Sequence, residues 1–320
     1  MKLPVPRAAA ALAAALAATL VATGSTAAAA PRLKEYSLRA EFAVPSDITV
    51  GPDGALWAAD GSLDRLWRIT TRGRVSSIDL PGGPGGVASG PDGALWVTDR
   101  TFDRILRVTT DGDVTSYAIP TPGAFPTDIV AGPDGALWFT ETRGDKIGRI
   151  ATGGSITEYP LTPGAAAADI TVGPDGALWF TEPSGNRVGR VTTAGQVSEF
   201  ALPSAGALPG PIVAGADGAL WIGERNSTTI TRVTTSGEVS SRFPIPTAGA
   251  DPAALVAAPD GGIWIADHST GALGQMTLDG TFGRDTRLRS APDALTLGPD
   301  GALWYVAGDD GKVGRLELGR

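Results

Sequence analysis

Residues 132–141 read Gly-Pro-Asp-Gly-Ala-Leu-Trp-Phe-Thr-Glu, and close variants of this stretch recur along the chain. A tryptophan marks each copy, and seven copies follow one another at intervals of 39 to 43 residues: Trp57, Trp96, Trp138, Trp179, Trp221, Trp264 and Trp304. A period of this length is typical of a propeller blade of four strands. The repeat therefore predicts seven blades in one domain, and it overrides the two domains that 320 residues would suggest.

The third copy indicates how a blade is built. Its turn, residues 132–135, places proline where φ must be near −65° and glycine where φ must be positive. The middle strands are apolar on both faces, as expected of sheets that are covered on both sides. The four predicted strands are residues 128–131, 136–140, 146–152 and 155–161. With no helical periodicity after Pro31, the predicted fold class is all-β.

The two chain ends predict how the ring closes. The last copy ends after its third strand, whereas residues 35–42 form an extra strand before the first copy begins. This extra strand starts Glu-Tyr-Ser-Leu, and the fourth strand of the third copy contains Glu-Tyr-Pro-Leu. Pairing it with the last copy would remove an exposed sheet edge. We therefore expect residues 31–320 to form one seven-bladed β-propeller, closed by the N-terminal strand.

Residues 1–30 have the pattern of a secretory signal peptide. Lys2 and Arg7 precede an Ala/Leu/Val run, and residues 27–30 offer several Ala-x-Ala cleavage positions. The apolar run is short for a helix that spans a bilayer, although a retained anchor is the alternative. The sequence thus predicts a secreted, extracytoplasmic protein without a membrane span after cleavage, and we expect a monomer.

Composition excludes several classes of site. The net charge of −8 disfavours nucleic acids and anionic membranes as partners, because both attract clusters of Lys and Arg. The chain has no cysteine, which excludes thiolate nucleophiles and cysteine-bound metals. A single histidine excludes zinc motifs that need two. We expect no organic cofactor.

Two sets of acids repeat with the blades. The repeated tryptophans could stack on a ligand, but their position on a central strand favours packing between blades. Six copies carry an acid three residues after the tryptophan: Asp60, Asp99, Glu141, Glu182, Glu224 and Asp267. Four copies begin their first strand with an aspartate: Asp47, Asp128, Asp169 and Asp293. We expect both sets around a central channel on one face, either paired between blades with the cations of the third strands or binding a cation.

The junction of blades six and seven is the predicted site. His268 directly follows Asp267, Asp251 enters blade six, and Asp293 opens blade seven. We predict His268 and Asp293 as catalytic residues, and Asp251, Asp267 and Asp293 as ligands of Mg²⁺ or Ca²⁺. The alternative is that His268 is a solvated loop residue.

The repeated stretches carry a family resemblance. Residues 132–141, Asp-Lys-Ile-Gly-Arg-Ile at 145–150 and Ile-Thr-Glu-Tyr-Pro-Leu at 156–161 resemble the virginiamycin B (streptogramin B) lyases, and the resemblance covers all seven copies. It implies a propeller enzyme that opens a cyclic depsipeptide antibiotic by elimination at its ester linkage. In this family a divalent cation, usually Mg²⁺, polarises the substrate while a histidine takes the proton.

The catalytic positions of the family differ in this chain. The family has Pro-His-Ala-Ile where residues 252–255 read Pro-Ala-Ala-Leu, and Glu-Pro-His-Gly-Ile where residues 291–295 read Ala-Pro-Asp-Ala-Leu. The glutamate expected after the last tryptophan is also missing, because Ala307 and Gly308 occupy that stretch. Asp293 therefore stands where the resemblance places the general base.

Three functions follow from this comparison. The first is a secreted propeller that binds a small molecule, peptide or protein on its carboxylate-rich face without the family's catalytic His/Glu set. The second is a diverged lyase or hydrolase that acts at a C–O bond with a divalent cation and uses His268. The third is a calcium-dependent propeller of the lactonase type.

Overall fold

A computed structural model describes residues 32–283 and 285–318, so the predicted signal peptide lies outside the described part of the chain. Its strands form seven antiparallel sheets of four strands each, arranged as the blades of one ring. The predicted seven-bladed, all-β propeller is confirmed. No helix in the described residues is long and apolar enough to cross a membrane.

The strands are numbered in chain order from β1 (Arg32–Ser37). Blades one and two contain β2 (Pro45–Val50), β3 (Leu56–Asp60), β4 (Arg65–Ile69), β5 (Val75–Asp79), β6 (Pro84–Ser89), β7 (Leu95–Asp99), β8 (Arg104–Val108) and β9 (Val114–Ala118). Blades three and four contain β10 (Pro126–Ala131), β11 (Leu137–Glu141), β12 (Lys146–Ile150), β13 (Ile156–Pro160), β14 (Ile170–Val172), β15 (Leu178–Glu182), β16 (Arg187–Val191) and β17 (Val197–Ala201). Blades five and six contain β18 (Pro209–Ala214), β19 (Leu220–Glu224), β20 (Thr229–Val233), β21 (Val239–Pro244), β22 (Pro252–Ala257), β23 (Ile263–Asp267), β24 (Ala272–Met276) and β25 (Thr286–Arg287). Blade seven contains β26 (Ala294–Leu297), β27 (Leu303–Ala307), a 3₁₀ turn (Gly308–Asp310) and β28 (Lys312–Glu317).

The N-terminal strand closes the ring as predicted. β1 pairs antiparallel with β28 and completes the sheet in the order β26, β27, β28, β1. The ring of Tyr36 stacks on Trp304 at 5.8 Å, as Tyr159 stacks on Trp138 at 5.4 Å within blade three. The closing strand ends earlier than residue 42, because Arg39 and Phe42 adopt left-handed φ angles of 56° and 65° and turn the chain towards blade one.

Packing between blades accounts for the tryptophans. Six of the seven are fully buried, and Trp264 is half-buried. In blade three the indole N–H of Trp138 donates to Asp134 Oδ1 at 3.0 Å, and Arg149 Nε donates to Oδ2 at 2.7 Å. Burial raises the pKa of Asp134, but these hydrogen bonds outweigh it and hold the pKa below its usual value. The basic residues of the third strands thus pair within their own blades, and not between blades as the sequence suggested.

The six acids that follow the tryptophans do not line a channel, which corrects the prediction. All six are buried inside their blades. Asp99 pairs with Arg104 at 2.6 Å and Glu182 pairs with Arg187 at 2.6 Å, both across neighbouring strands. Asp60 instead accepts the indole N–H of Trp67 at 2.8 Å. These acids therefore join the second strand to the third strand and its loop.

Glu141 differs from the other five. Both of its carboxylate oxygens are buried and lack a hydrogen-bond partner among the described residues. Lys146, which could have paired with it, binds Glu158 at 2.9 Å. Burial, together with the negative charge of Glu158, raises the pKa of Glu141 to about 8. The folded protein therefore holds this carboxyl neutral at pH 7.

We predict that Tyr36→Ala lowers the free energy of unfolding by about 1–3 kcal/mol, because a half-buried ring at the closing seam is lost. Urea denaturation followed by tryptophan fluorescence measures the loss. Ser37→Ala, at the exposed end of β1, is the matched control. An unchanged stability of Tyr36→Ala would contradict closure by β1.

We predict that Glu141→Gln raises the free energy of unfolding, and that this gain grows as pH rises. Above the usual pKa of 4.5 the unfolded chain releases a proton that folded Glu141 keeps up to about pH 8. The wild-type free energy of unfolding therefore falls across this window, by roughly 1.4 kcal/mol for each unit of pKa shift. Glu141→Gln removes that loss, and denaturation at about pH 5 and about pH 8 measures the difference.

The opposite sign is expected for Glu224→Gln, because Glu224 receives a hydrogen bond from Arg242 at 2.6 Å. Removing one partner of a buried pair destabilises the fold. A Glu141→Gln stability difference that stays flat with pH would show that the Glu141 carboxyl is not held neutral.

Candidate central ligand site

All seven blades surround one cavity of about 390 Å³. It lies at the end of the ring where first strands begin and second strands end. Its lining comes mainly from two consecutive residues at the beginning of each first strand or directly before it, with two arginines from the second-strand ends. The lining residues include Ser46, Asp47, Gly85, Gly86, Thr127, Asp128, Ala168, Asp169, Gly210, Pro211, Ala253, Ala254, Asp293 and Ala294, together with Arg100 and Arg225.

A short local pattern places these side chains. In six blades a proline directly precedes the two lining residues. Proline is tolerated there because a residue at the start of a strand need not donate a backbone N–H to the sheet. The next two residues face the cavity, and in three blades the second of them is aspartate. Each of these aspartates accepts a backbone N–H of the following blade: Asp47 from Val87 at 2.7 Å, Asp128 from Ile170 at 2.9 Å and Asp169 from Ile212 at 2.8 Å. The acidic wall of the cavity thus also joins neighbouring blades.

The wall carries less negative charge than its count of acids suggests. Burial raises the pKa of Asp47 to about 7, and the charge of Asp128 adds to the effect. Burial also raises the pKa of Asp128 and of Asp169, and the proximity of Asp169 raises that of Asp128 further. These carboxyls therefore keep their protons to higher pH than ordinary aspartates do.

Basic residues follow the second strands in three blades. Arg100, Arg225 and His268 each stand four residues after the tryptophan of their blade. Arg225 donates from Nε and a terminal nitrogen to both oxygens of Asp251, at 2.6 and 2.7 Å. The sequence analysis selected His268 but missed the two arginines. Their common spacing from the tryptophan is the signal that could have found them.

The structure brings His268 and Asp293 together. The imidazole Nδ1 lies 3.0 Å from Asp293 Oδ1, an ion-pair distance with poor hydrogen-bond alignment. Asp293 Oδ2 accepts the backbone N–H of Gly308 at 2.6 Å, which fixes the carboxylate. Burial raises the pKa of Asp293, although Gly308 and His268 both oppose the shift. His268 Nε2, 3.9 Å from Asp309, belongs to a side chain that is 32% exposed.

The predicted metal ligands are not assembled into one group. Arg225 occupies the carboxylate of Asp251, and Asp267 accepts hydrogen bonds from the backbone of Asp251, from Ser269 and from Thr270. Asp267 behaves like the other buried acids of its register, so only Asp293 of the three faces the cavity. Within residues 32–283 and 285–318, no three histidine or acidic side chains are placed to hold a metal ion. Asp251, Asp267 and Asp293 therefore do not converge on one point among the described residues, and Mg²⁺ or Ca²⁺ binding by them stays a prediction.

Known proteins share this fold and much of this sequence. The chain matches the Virginiamycin B lyase family over residues 7–168 and 162–319. A streptogramin B lyase structure is 34% identical, with a TM-score of 0.85 over 90% of this chain and 98% of that chain. The virginiamycin B lyase of Staphylococcus aureus is 32% identical, with a TM-score of 0.85 over 90% and 99%.

A catalytically inactive histidine-to-alanine variant of the Staphylococcus aureus lyase, in a structure with quinupristin, is 33% identical with the same TM-score and coverage. No curated protein sequence matches the chain. The family match spans nearly the whole chain, and the lyase structures are superimposable over nine-tenths of it. This protein belongs to the virginiamycin B lyase family.

Proposed function

We propose that this protein is a secreted family member that binds a small molecule in the central cavity and does not open streptogramin B efficiently. One observation carries the proposal: the cavity is present, but the two positions where the family resemblance places histidines hold Ala253 and Asp293, and both line it. The volume of about 390 Å³ suits a small molecule better than a protein surface. The pattern of residues 1–30 supports secretion.

The chemistry of elimination explains the negative part of the proposal. Ring opening needs a base beside the proton that is removed and a group that stabilises the developing charge. Ala253 can do neither. One oxygen of Asp293 accepts the backbone N–H of Gly308, and the other lies next to His268. Asp293 is therefore poorly placed to act as a base on a substrate. The acidic residues at the junction are engaged in other contacts, so they supply no obvious substitute for the family's cation site.

The pair of His268 and Asp293 favours a second candidate, a diverged lyase or hydrolase. A carboxylate next to Nδ1 orients an imidazole and leaves Nε2 to take a proton. The contact of 3.0 Å has the distance of this arrangement but not its hydrogen-bond alignment, and Asp293 reaches the cavity. In this candidate His268 is the base and Asp293 is the positioning residue.

We predict that the purified protein linearises quinupristin at least about 10²–10⁴-fold more slowly than the Staphylococcus aureus lyase, because an essential acid–base group is absent. Chromatography with mass detection, with and without Mg²⁺, measures the rate. The combined variant Ala253→His, Ala291→Glu, Asp293→His should gain activity over its parent. Residual activity that disappears in His268→Ala would support the second candidate, and efficient opening by the wild type would refute the proposal.

We predict that ligands found in a fragment screen by saturation-transfer NMR bind in the cavity and are lost in Ala253→Trp. The indole would occupy part of the cavity without removing a charge. Glu238→Gln, on the exposed hairpin between β20 and β21, is a surface control that should keep every ligand. Ligands that survive Ala253→Trp, or a screen without any ligand, would count against the cavity as the binding site.

A further inference from the structure

We propose that Arg100 receives a carboxylate group of the bound small molecule and so selects the class of ligand that the cavity takes. The inference rests on the proposed function, because it assumes that the cavity binds a ligand. It goes further by naming the residue that recognises the ligand and the chemical group that is recognised.

Arg100 is the uncommitted cation of the cavity. Its side chain lies in the lining, and its Nε–H is buried without a hydrogen-bond partner among the described residues. Burial lowers the pKa of Arg100, although Asp47 and Asp128 oppose the shift, and a guanidinium remains protonated at neutral pH in any case. A buried donor without an acceptor is costly, so an oxygen of a ligand would relieve a penalty that the free protein bears.

Arg225 provides the comparison within the same molecule. It occupies the same register on another blade, yet Asp251 takes its guanidinium through two parallel hydrogen bonds. Arg100 has no such partner: in the part of the chain that the structure describes, no carboxylate lies within ion-pair distance of it. A guanidinium fork of this kind matches the two oxygens of a carboxylate.

The fold makes room for the arginine. A Cβ atom on Gly85 would lie 2.3 Å from Arg100 Nε, and one on Gly210 would lie 3.0 Å from the Cδ of Arg225. In both blades that carry an arginine in this register, the adjacent cavity position is therefore glycine. The side chain of Arg100 lies across the backbone of Gly85 and lines the cavity.

The surroundings favour a carboxylate over a phosphate. The acids that face Arg100 are Asp47 of blade one and Asp128 of blade three, and Asp128 in turn interacts with Asp169. Their charges would repel a dianion more strongly than a monoanion. Pro211, Leu255 and Leu295 supply apolar lining on other blades. The ligand class that fits is a small organic acid with an aliphatic or aromatic body.

The test compares acids with their neutral counterparts. Matched pairs of carboxylic acids and primary amides, such as phenylacetate and phenylacetamide, are titrated into the protein and followed by NMR, with phenyl phosphate as the dianionic probe. We expect the acids to bind about 10- to 100-fold more tightly than the amides, the range for a charged hydrogen bond. We expect the acids to bind more tightly at pH 6 than at pH 8, because Asp47 ionises between them, at about 7.

Variants assign the preference to Arg100. Arg100→Met should abolish the difference between acid and amide while amide binding persists, which also shows that the variant is folded. Arg100→Lys should keep part of the preference, because it keeps the charge and loses the fork. Arg143→Met is the matched control: it removes a cation that stacks on Phe125 at 4.1 Å outside the cavity lining, and it should keep the full preference.

The outcomes separate this inference from the proposed function. Amides that bind as tightly as acids, or a preference that survives Arg100→Met, would overturn the role of Arg100 and leave the cavity as a binding site. Tighter binding of phenyl phosphate than of the acids would overturn the carboxylate class. If no acid or amide binds the wild-type protein, and no fragment ligand is lost in Ala253→Trp, both the role of Arg100 and the proposed function are overturned.

Discussion

In six of the seven blades, one aspartate carboxylate binds both the tryptophan and an arginine and so fixes the position of the second strand. In six blades the aspartate of the turn accepts the tryptophan N–H on one oxygen, at 2.9–3.1 Å, and an arginine of the third strand on the other. This bridge ties the turn, the second strand and the third strand together at one end of the blade. Because each second strand is thereby fixed, the residues three and four positions beyond the tryptophan always arrive at the same depth in the ring. Blade six lacks the arginine, and there Gln275 binds Asp260, while the N–H of Trp264 has no partner among the residues that the structure describes.

The sequence predicted the fold because the repeat reports on backbone geometry directly. A proline and a glycine at fixed places in a turn, and a tryptophan at a fixed place in a strand, leave few alternatives. The site was harder to predict because adjacent residues lie in different environments. Asp267 is buried in its blade, whereas His268 lies beside Asp293 at the cavity end of the ring. Arg225 and Asp251 pair across two blades, and the repeat pattern of the sequence does not indicate this contact. Residues 137–141 and 178–182 have the same sequence, yet their glutamates have different partners. Glu182 pairs with Arg187, whereas Lys146 pairs with Glu158 and not with Glu141.

The cavity wall contributes more hydrogen bonds between blades on one side than on the other. Backbone hydrogen bonds to Asp47, Asp128 and Asp169 hold three of the blade junctions, so these acids contribute to the ring whatever the cavity binds. The opposite junctions, around blades six and seven, carry Ala253, Ala254 and Ala294, which bear no such bracing contact in the described chain. Side chains at these three alanine positions can therefore vary without the loss of a hydrogen bond between blades. A propeller can in this way keep its architecture while the chemistry of one sector changes.

The closing strand also dictates an order of assembly. Blades one to six pair strands that are close in sequence, whereas the hydrogen bond between Tyr305 and Glu35 joins residues 270 positions apart. A ribosome makes β1 before blades one to six and β28 after them, so β1 cannot pair until those blades have been synthesised. Until then both ends of the growing ring present unpaired backbone, the kind of edge that recruits other chains. Synthesis that stops before β28 would leave an open arc with no route to closure, and such nascent chains would depend on chaperones for their solubility.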